Sequence, residues 1–136
     1  MTLGESLYKE LSGYASLVSL VGSEIYPVMI PIEAQLPCVS YRQISEVSNH
    51  AYVSDTILRK ARYQVSSWSS EYSDAKAVAV QVRNKLQDFS GIMGTTGVNV
   101  KRSFFDGEFD LDDIDPESNA ILYHIAQDYI IWYTSD

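Results

Sequence analysis

The chain has 136 residues, of which 46% are hydrophobic and 21% are charged. This length and composition predict one folded domain over residues 1–136 and exclude a disordered protein. Eighteen acidic residues face ten basic ones, so the formal net charge is −8. Free-standing nucleic-acid binders and proteins of anionic membrane surfaces normally carry the opposite excess, so both classes are disfavoured.

Cys38 is the single cysteine, which excludes an internal disulfide and a thiolate metal cluster. Glu5, Lys9 and Glu10 interrupt the N-terminal segment, so it does not read as a signal peptide. No stretch approaches the ~20 apolar residues that a membrane-spanning helix needs. We expect a soluble protein that is made inside the cell and contacts no membrane.

The first segment has helical periodicity and predicts one helix over residues 3–21. Thr2 and Glu5 have the spacing of a capping box, and Gly22 follows the last apolar position, where helices commonly end. Gly13 lowers the helix propensity, so this helix depends on tertiary packing. The apolar stripe consists of Leu3, Leu7, Leu11, Ala15, Val18 and Val21.

Extended segments follow. Residues 25–32 contain two prolines, which predicts an edge strand or an irregular extended run. Residues 38–48 and 56–69 are rich in β-branched and aromatic residues and predict two strands. The apolar parity of the second of these strands changes at residues 66–68, which would be explained by a β-bulge.

A second helix is predicted after Ser73, a favourable N-cap, with Asp74 in its first turn and Gly91 at its exit. Two long strands then follow, over residues 98–109 and 120–134, with an acidic hairpin loop over residues 106–119 between them. The predicted fold is α+β, a mainly antiparallel sheet with two helices packed on it. The apolar stripe of the second helix consists of Ala75, Val78, Ala79, Val82, Leu86 and Phe89.

The last strand is apolar on both faces at residues 130–133. Such a strand is usually covered on both faces. Two helices suffice for one face only, so we expect a neighbouring subunit to cover the other.

The acidic segment contains seven of the 18 acidic residues: Asp106, Glu108, Asp110, Asp112, Asp113, Asp115 and Glu117. The remaining eleven acidic residues nearly balance the ten basic ones, so the charge excess belongs to this segment. Its spacing partly fits a calcium-binding EF-hand loop, but Leu111 occupies the position of the required glycine. A solvated hairpin loop, a calcium site and a negative surface with a mechanical use remain alternatives.

Catalytic motifs are missing from the sequence. Cys38 with His50 or His124 would be the only cysteine–histidine combination, and no flanking motif accompanies it. Phosphate-binding glycine loops and nucleophile elbows are absent. We therefore expect no catalytic, cofactor-binding or metal-binding residues. The short basic run Arg59, Lys60 and Arg62 suits the polar face of a strand or a salt-bridged subunit contact.

The sequence resembles the phage tail completion family, the tail terminator proteins of long-tailed bacteriophages. The resemblance covers about residues 3–134 and rests on the order of its parts rather than on one motif. A helix ends in a Leu-Val-Gly step. An Ile-Tyr pair and a proline-rich stretch follow this helix. Further along the chain, a Trp-Ser pair precedes a helix with alanines and a late leucine. The residues are Leu20, Val21, Gly22, Ile25, Tyr26, Pro27, Pro31, Pro37, Trp68, Ser69, Ala75, Ala77, Ala79 and Leu86.

This resemblance implies a structural, non-enzymatic virion protein at the head–tail interface, present in the host cytoplasm during assembly. Family members form a ring, commonly a hexamer, that caps the head-proximal end of the tail tube, stops tube polymerisation and meets the head–tail connector protein. The expected partners are further copies of the chain, the major tail tube protein, the connector and genomic DNA, which passes through the lumen without specific binding.

We expect some of five acidic residues to line the lumen or its rim, where they would repel DNA and let it slide. Alternative functions are a neck or head-completion protein of the same particle and a calcium-binding interaction module. The five residues are Asp106, Glu108, Asp110, Asp112 and Asp113.

Overall fold

The computed structural model describes residues 2–31, 33–49, 57–114 and 121–135. One six-stranded sheet has the order β1-β2-β3-β6-β5-β4. All described strand pairs are antiparallel except β1 with β2. The predicted α+β fold with a mainly antiparallel sheet is confirmed. The elements are α1 Leu3–Ser12, α2 Ala15–Val21, β1 Ile25–Pro27, β2 Cys38–Asn49, β3 Ile57–Ser69, α3 Tyr72–Leu86, β4 Gly91–Ile92, β5 Asn99–Ile114 and β6 Ile121–Ser135.

The first predicted helix is in fact two helices, so the described residues form three rather than two. α1 begins at the predicted capping box of Thr2 and Glu5, and α2 ends at Gly22 as expected. Between them Gly13 ends α1, and Tyr14 adopts an extended backbone with φ −90° and ψ 106°. The break at the weakest helix former lets α1 bury Leu3, Leu7 and Leu11 while α2 buries Leu17 and Val21.

The third helix carries the predicted apolar stripe but begins differently. It starts at Tyr72, so Ser73 lies inside the helix and is not its N-cap. Glu71 is the N-cap residue, and its backbone N–H donates to Ser69 Oγ at 3.2 Å. The predicted core positions Ala75, Val78, Ala79, Val82 and Leu86 are buried, and Phe89 is partly buried.

The predicted acidic loop is wrong over residues 106–114, because β5 continues to Ile114 instead of ending at Phe109. Throughout this stretch β5 pairs with β6, from Gly107 opposite Asp128 to Ile114 opposite Ile121. Apolar and acidic side chains alternate here, and that alternation is the strand signal that the charge density obscured. Residues 115–119 of the predicted loop lie outside the described residues.

The predicted bulge at residues 66–68 is also wrong. β3 pairs without interruption with both neighbours there, since Ser66 lies opposite Ser40 and Ala126. Ser67 and Ser69 continue the buried face of β3, so small polar side chains replace apolar ones without any change of parity. Register shifts occur instead at Ile44 in β2 and at Lys101 and Asp106 in β5.

All three helices pack on one face of the sheet. Their leucines and valines form one core with the odd-numbered residues of β3 and β6, including Tyr63, Tyr129 and Ile131. The opposite face, formed by even-numbered residues of these two strands, is not covered by any helix of the described residues, and we call it the helix-free face. Within the described ranges, no helix is long and apolar enough to cross a membrane.

A close approach between α1 and the segment before β5 fixes the end of the core. Ser6 Oγ accepts a hydrogen bond from Val98 N–H at 3.0 Å. A Cβ at Gly97 would lie 2.1 Å from Ser6 Oγ and 2.3 Å from Met93 O. Only glycine therefore fits at position 97.

We predict that Gly97→Ala destabilises the fold by about 1–3 kcal/mol, because the added methyl must displace α1 or the Met93 backbone. Gly4→Ala is the matched control, since a Cβ there makes only an ordinary contact at 3.4 Å with the Tyr63 hydroxyl. Urea unfolding of both variants and the wild type measures the difference. Equal loss in the two variants, or none in Gly97→Ala, would contradict the packing argument.

Candidate assembly surface

The five acidic residues of the sequence prediction lie on one strand but not on one surface. Glu108 and Asp110 lie opposite Gln127 and Ile125 of β6, on the face that carries the helices. Asp112, opposite Tyr123, shares that side. Asp106 lies at the register shift and reaches the helix-free face, and Asp113 occupies the register position opposite Leu122. The structure thus divides the predicted negative surface between two faces.

On the helix side, one lysine bridges two of these carboxylates. Lys76 Nζ of α3 lies 2.7 Å from Glu108 Oε2 and 2.9 Å from Asp110 Oδ1. The Tyr72 hydroxyl donates to Asp110 Oδ2 at 2.7 Å, and Gln127 Nε2 donates to Glu108 Oε1 at 2.9 Å. This network ties the far half of β5 to α3.

The network also shifts the pKa values of its members. Hydrogen bonds from Lys76 and Tyr72 lower the pKa of Asp110. Burial raises the pKa of Glu108, but hydrogen bonds from Lys76 and Gln127 outweigh it, so the net pKa is lowered. The hydrogen bonds that Lys76 donates to both carboxylates raise its own pKa. All three groups are therefore charged at neutral pH.

On the helix-free face, Arg62 bridges two carboxylates in the same way. Arg62 Nη1 lies 2.8 Å from Asp106 Oδ2 and 3.3 Å from Asp128 Oδ2. Gln64 Nε2 donates to Asp128 Oδ1 at 3.2 Å. The hydrogen bond to Asp106 is the main cause of a raised Arg62 pKa. The basic run of β3 therefore forms ion pairs within its own sheet.

Apolar side chains dominate much of the helix-free face around these ion pairs. Phe104 is 42% exposed, Phe109 49% and Leu111 48%. The neighbouring Ile130 and Trp132 of β6 are half-buried. The prediction that β6 is apolar on both faces is confirmed, and within the described residues the second face has no cover. An exposed apolar surface of this kind is typical of a contact with another protein.

A polar cleft opens between the start of α1 and the ends of β2, β3 and β6. The Tyr133 hydroxyl donates to Glu46, which also lies 3.3 Å from Arg59 Nη1. The Tyr63 hydroxyl donates to Gln43 Oε1 at 3.3 Å, and burial raises the pKa of Tyr63 to about 12. The polar groups of this cleft satisfy one another, which indicates a structural network. The sequence contained no signal for it.

The residues weighed for catalysis do not form a reactive centre. Burial, and secondarily the Glu24 carboxylate, raises the pKa of the Cys38 thiol to about 12, so it is a poor nucleophile at neutral pH. The His124 ring stacks on Trp68 with centroids 3.8 Å apart, and Trp68 separates it from Cys38 in the sheet register. His50 lies outside the described residues.

Metal ligation by the acidic segment is not favoured by this geometry either. An EF-hand requires a loop whose oxygens converge, whereas residues 106–112 form an extended strand, which spaces Glu108, Asp110 and Asp112 along one face and places Asp106 on the other. Among the described residues, no three His, Cys, Asp or Glu side chains are grouped so that they could hold a metal ion.

We predict that Lys76→Met lowers stability by about 0.5–1 kcal/mol at pH 7, the range of partly exposed ion pairs. The Glu108 pKa is depressed in the folded state, so its contribution is present above the ordinary value of 4.5 and disappears as pH falls through the lowered value. The difference between wild type and variant should therefore shrink from pH 7 to pH 3.

Urea unfolding at both pH values measures this difference. Lys101→Met, on an exposed residue of β5, serves as the control for the removal of one positive charge. A Lys76→Met deficit that is the same at pH 3 and pH 7 would show that the ion pairs do not contribute.

Comparison with known proteins identifies the family. The model of the family "Tail completion protein gp17" matches residues 5–134. In three dimensions, the chain is similar to a chain in the structure titled "Virion of native gene transfer agent (GTA) particle", with 16% sequence identity and a TM-score of 0.68. That alignment covers 98% of this chain and 95% of the other, so the two share the whole fold. No curated protein matches the sequence.

The family match spans almost the whole chain and agrees with the resemblance inferred from the order of its parts. The fold, the apolar helix-free face and the lack of a reactive centre among the described residues are consistent with a role in assembly. The chain belongs to the tail completion protein gp17 family and is a structural protein of a phage-like virion tail.

Proposed function

We propose that this chain forms a hexameric ring that caps the head-proximal end of the tail tube. The ring stops tube polymerisation and presents its other side to the head–tail connector protein. Genomic DNA passes through its lumen. The whole chain acts as one domain, without catalysis and without a cofactor, and it assembles in the host cytoplasm before it becomes part of the virion.

The helix-free face is the observation that carries this proposal. The helices of the described residues cover only one face of the sheet, and Phe104, Phe109 and Leu111 remain exposed on the other. These side chains are already about half-buried, so completing their burial contributes roughly half of the ~1.5–3 kcal/mol that full burial of such a side chain gives. A protein that works by capping needs contacts of this kind, and family membership supports the other proteins of the tail and head as its partners.

The passage of DNA requires a lumen that does not hold phosphate groups. Each cation that neutralises a phosphate adds salt-dependent affinity, so basic walls would slow the duplex. Lys76 forms ion pairs with Glu108 and Asp110, and Arg62 forms one with Asp106. These cations are therefore less available to the phosphates of DNA. We propose that the far half of β5, with Asp106, Glu108, Asp110, Asp112 and Asp113, lies at the lumen or its rim.

Electron microscopy of the purified chain mixed with tail tubes of the same virus tests the capping role. We expect one ring at one end of each tube and no further growth when tube protein is added. Phe109→Lys should weaken tube binding or ring formation about tenfold or more, because a charge replaces a buried aromatic contact. Val80→Lys, at a 52% exposed position of α3, is the matched control.

Growth of tubes in the presence of saturating chain would refute the capping role. Binding to the connector but not to tubes would instead assign the chain to the neck or to head completion. The position of its gene, next to the tube protein or next to the portal protein, gives an independent answer.

The lumen assignment predicts that assembled rings of Asp106→Asn/Glu108→Gln/Asp112→Asn bind duplex DNA more tightly than wild-type rings. These substitutions remove three negative charges and leave Arg62 and Lys76 with one carboxylate partner each, Asp128 and Asp110, so the gained affinity should fall steeply with salt. Filter binding at several salt concentrations measures it. A ring structure with residues 106–112 on the outer wall would contradict the assignment.

A further inference from the structure

We propose that copies of this chain join through their sheets: the outer edge of β5, residues 105–113, pairs in antiparallel fashion with the outer edge of β2, residues 42–48, of the next copy. This inference rests on the proposed ring for its biological setting. It adds the identity of the two surfaces that meet and makes the contact heterologous, so that each copy uses one edge of each kind.

Both edges lack a partner strand in the described part of the chain. β1 pairs with β2 only from Val39 to Tyr41, and Val28 N–H then donates to Tyr41 O at 2.7 Å. β4 pairs with β5 only at Asn99 and Val100. Beyond them, Ser103 exchanges backbone hydrogen bonds with Asp88 and Phe89 at 2.9 and 3.0 Å.

Residues along the two edges are exposed apart from Phe105, Gly107 and Glu46, which are half-buried, and Asp113, whose burial is not described. A long exposed edge presents rows of backbone donors and acceptors and is a template for another strand. Two such edges on one sheet offer a matching pair of sites.

Strand direction favours a ring. β2, β3, β6 and β5 are successively antiparallel, so β5 runs opposite to β2. Rotation about an axis roughly along the strands preserves their directions, which places β5 of one copy antiparallel to β2 of the next. Heterologous contacts of this type close into rings when the rotation allows it.

The distribution of charge favours pairing of a β5 edge with a β2 edge over pairing of two β5 edges. The free part of β5 carries Asp106, Glu108, Asp110, Asp112 and Asp113, which Lys76 and Arg62 only partly offset. Two β5 edges side by side would place these carboxylates against each other, and like charges across a strand pair are destabilising. The β2 edge instead carries Arg42, with the basic run 59–62 on the adjoining strand and Glu46 as its single acid.

The two free edges lie at opposite ends of the sheet. Ser45 lies in the middle of the free β2 edge. Across the sheet, it is in register with Arg62 of β3, Ile130 of β6 and Phe104 of β5. The middle of the free β5 edge lies about five residues further along, or ~16 Å at ~3.3 Å per residue. Joining the edges therefore staggers each copy against the next by this amount.

This stagger is what a closed sheet requires. Four strands at ~4.8 Å spacing span ~19 Å across each copy, so a rise of ~16 Å corresponds to strands tilted by ~40°, within the usual 35–45° of closed barrels. The ratio does not depend on the number of copies. A flat continuation of the sheet would instead leave the two free edges out of register.

Cysteine cross-linking tests the contact. Val47 of β2 and Leu111 of β5 lie on the helix-free face, next to the two edges, and are 62% and 48% exposed. Their replacement, Val47→Cys or Leu111→Cys, therefore leaves the core untouched. The native Cys38 is buried and does not compete for the reagent. A flexible bis-maleimide is added to the concentrated chain and to the chain bound to tail tubes.

We expect the two single variants, when mixed, to give a cross-linked dimer that contains one copy of each. Each single variant alone should give at most a tenth of that yield, whereas the double variant should give a ladder that ends at the ring size. Val80→Cys on α3, mixed with either variant, is the control. Equal cross-linking of either single variant with itself, or no mixed dimer in both samples, would overturn the pairing.

Electron microscopy of the same samples separates this inference from the proposed function. Capped tubes without mixed cross-links would overturn the edge pairing and leave the capping role intact. Mixed cross-links without capped tubes would support the edge pairing and refute the capping role.

Discussion

The one-sided covering of the sheet is the constraint on which the rest of this structure depends. The three helices bury the odd-numbered residues of β3 and β6 in one large core and in a small second cluster of Ala75, Ala79 and Ile125. The chain has no comparable material for the other face within the described residues. That face is held together by strand pairing, by a Trp68–His124 stack and by the Arg62 ion pairs.

The same constraint explains how the protein combines a stable core with exposed apolar surface. Phe104, Phe109 and Leu111 lie on a strand whose other side is anchored to α3 by Lys76. The strand is therefore held in place by α3 and β6 although one of its faces is uncovered. A preorganised surface loses little conformational entropy when it meets a partner, which suits a protein whose function is assembly.

The acidic side chains are distributed over the structure in a less simple way than their clustering in the sequence suggested. Its high charge density favoured a solvated loop, but the segment is a strand, and the register shift at Asp106 places this residue on one face and Glu108 and Asp110 on the other. The cations that receive them, Arg62 and Lys76, are 44 and 32 residues away in sequence. No local pattern could have predicted these pairs, because they depend on which strands become neighbours.

Elements whose signal is local were predicted well. The capping box at Thr2, the exit at Gly22 and the buried stripe of α3 follow from spacing alone. Predictions failed where tertiary packing outweighed propensity. The first helix divides at Gly13 so that both halves reach the core, and β3 keeps its register because buried serines occupy apolar positions.

Local periodicity and chain order were thus sufficient for the fold class and for the resemblance to the tail completion family, since both are recorded in residues that are neighbours along the chain. The sheet order, the two uncovered edges and the partners of each carboxylate were decided only by the tertiary structure. These features are pairings between distant segments, and their energies depend on contacts that exist only after the sheet has formed.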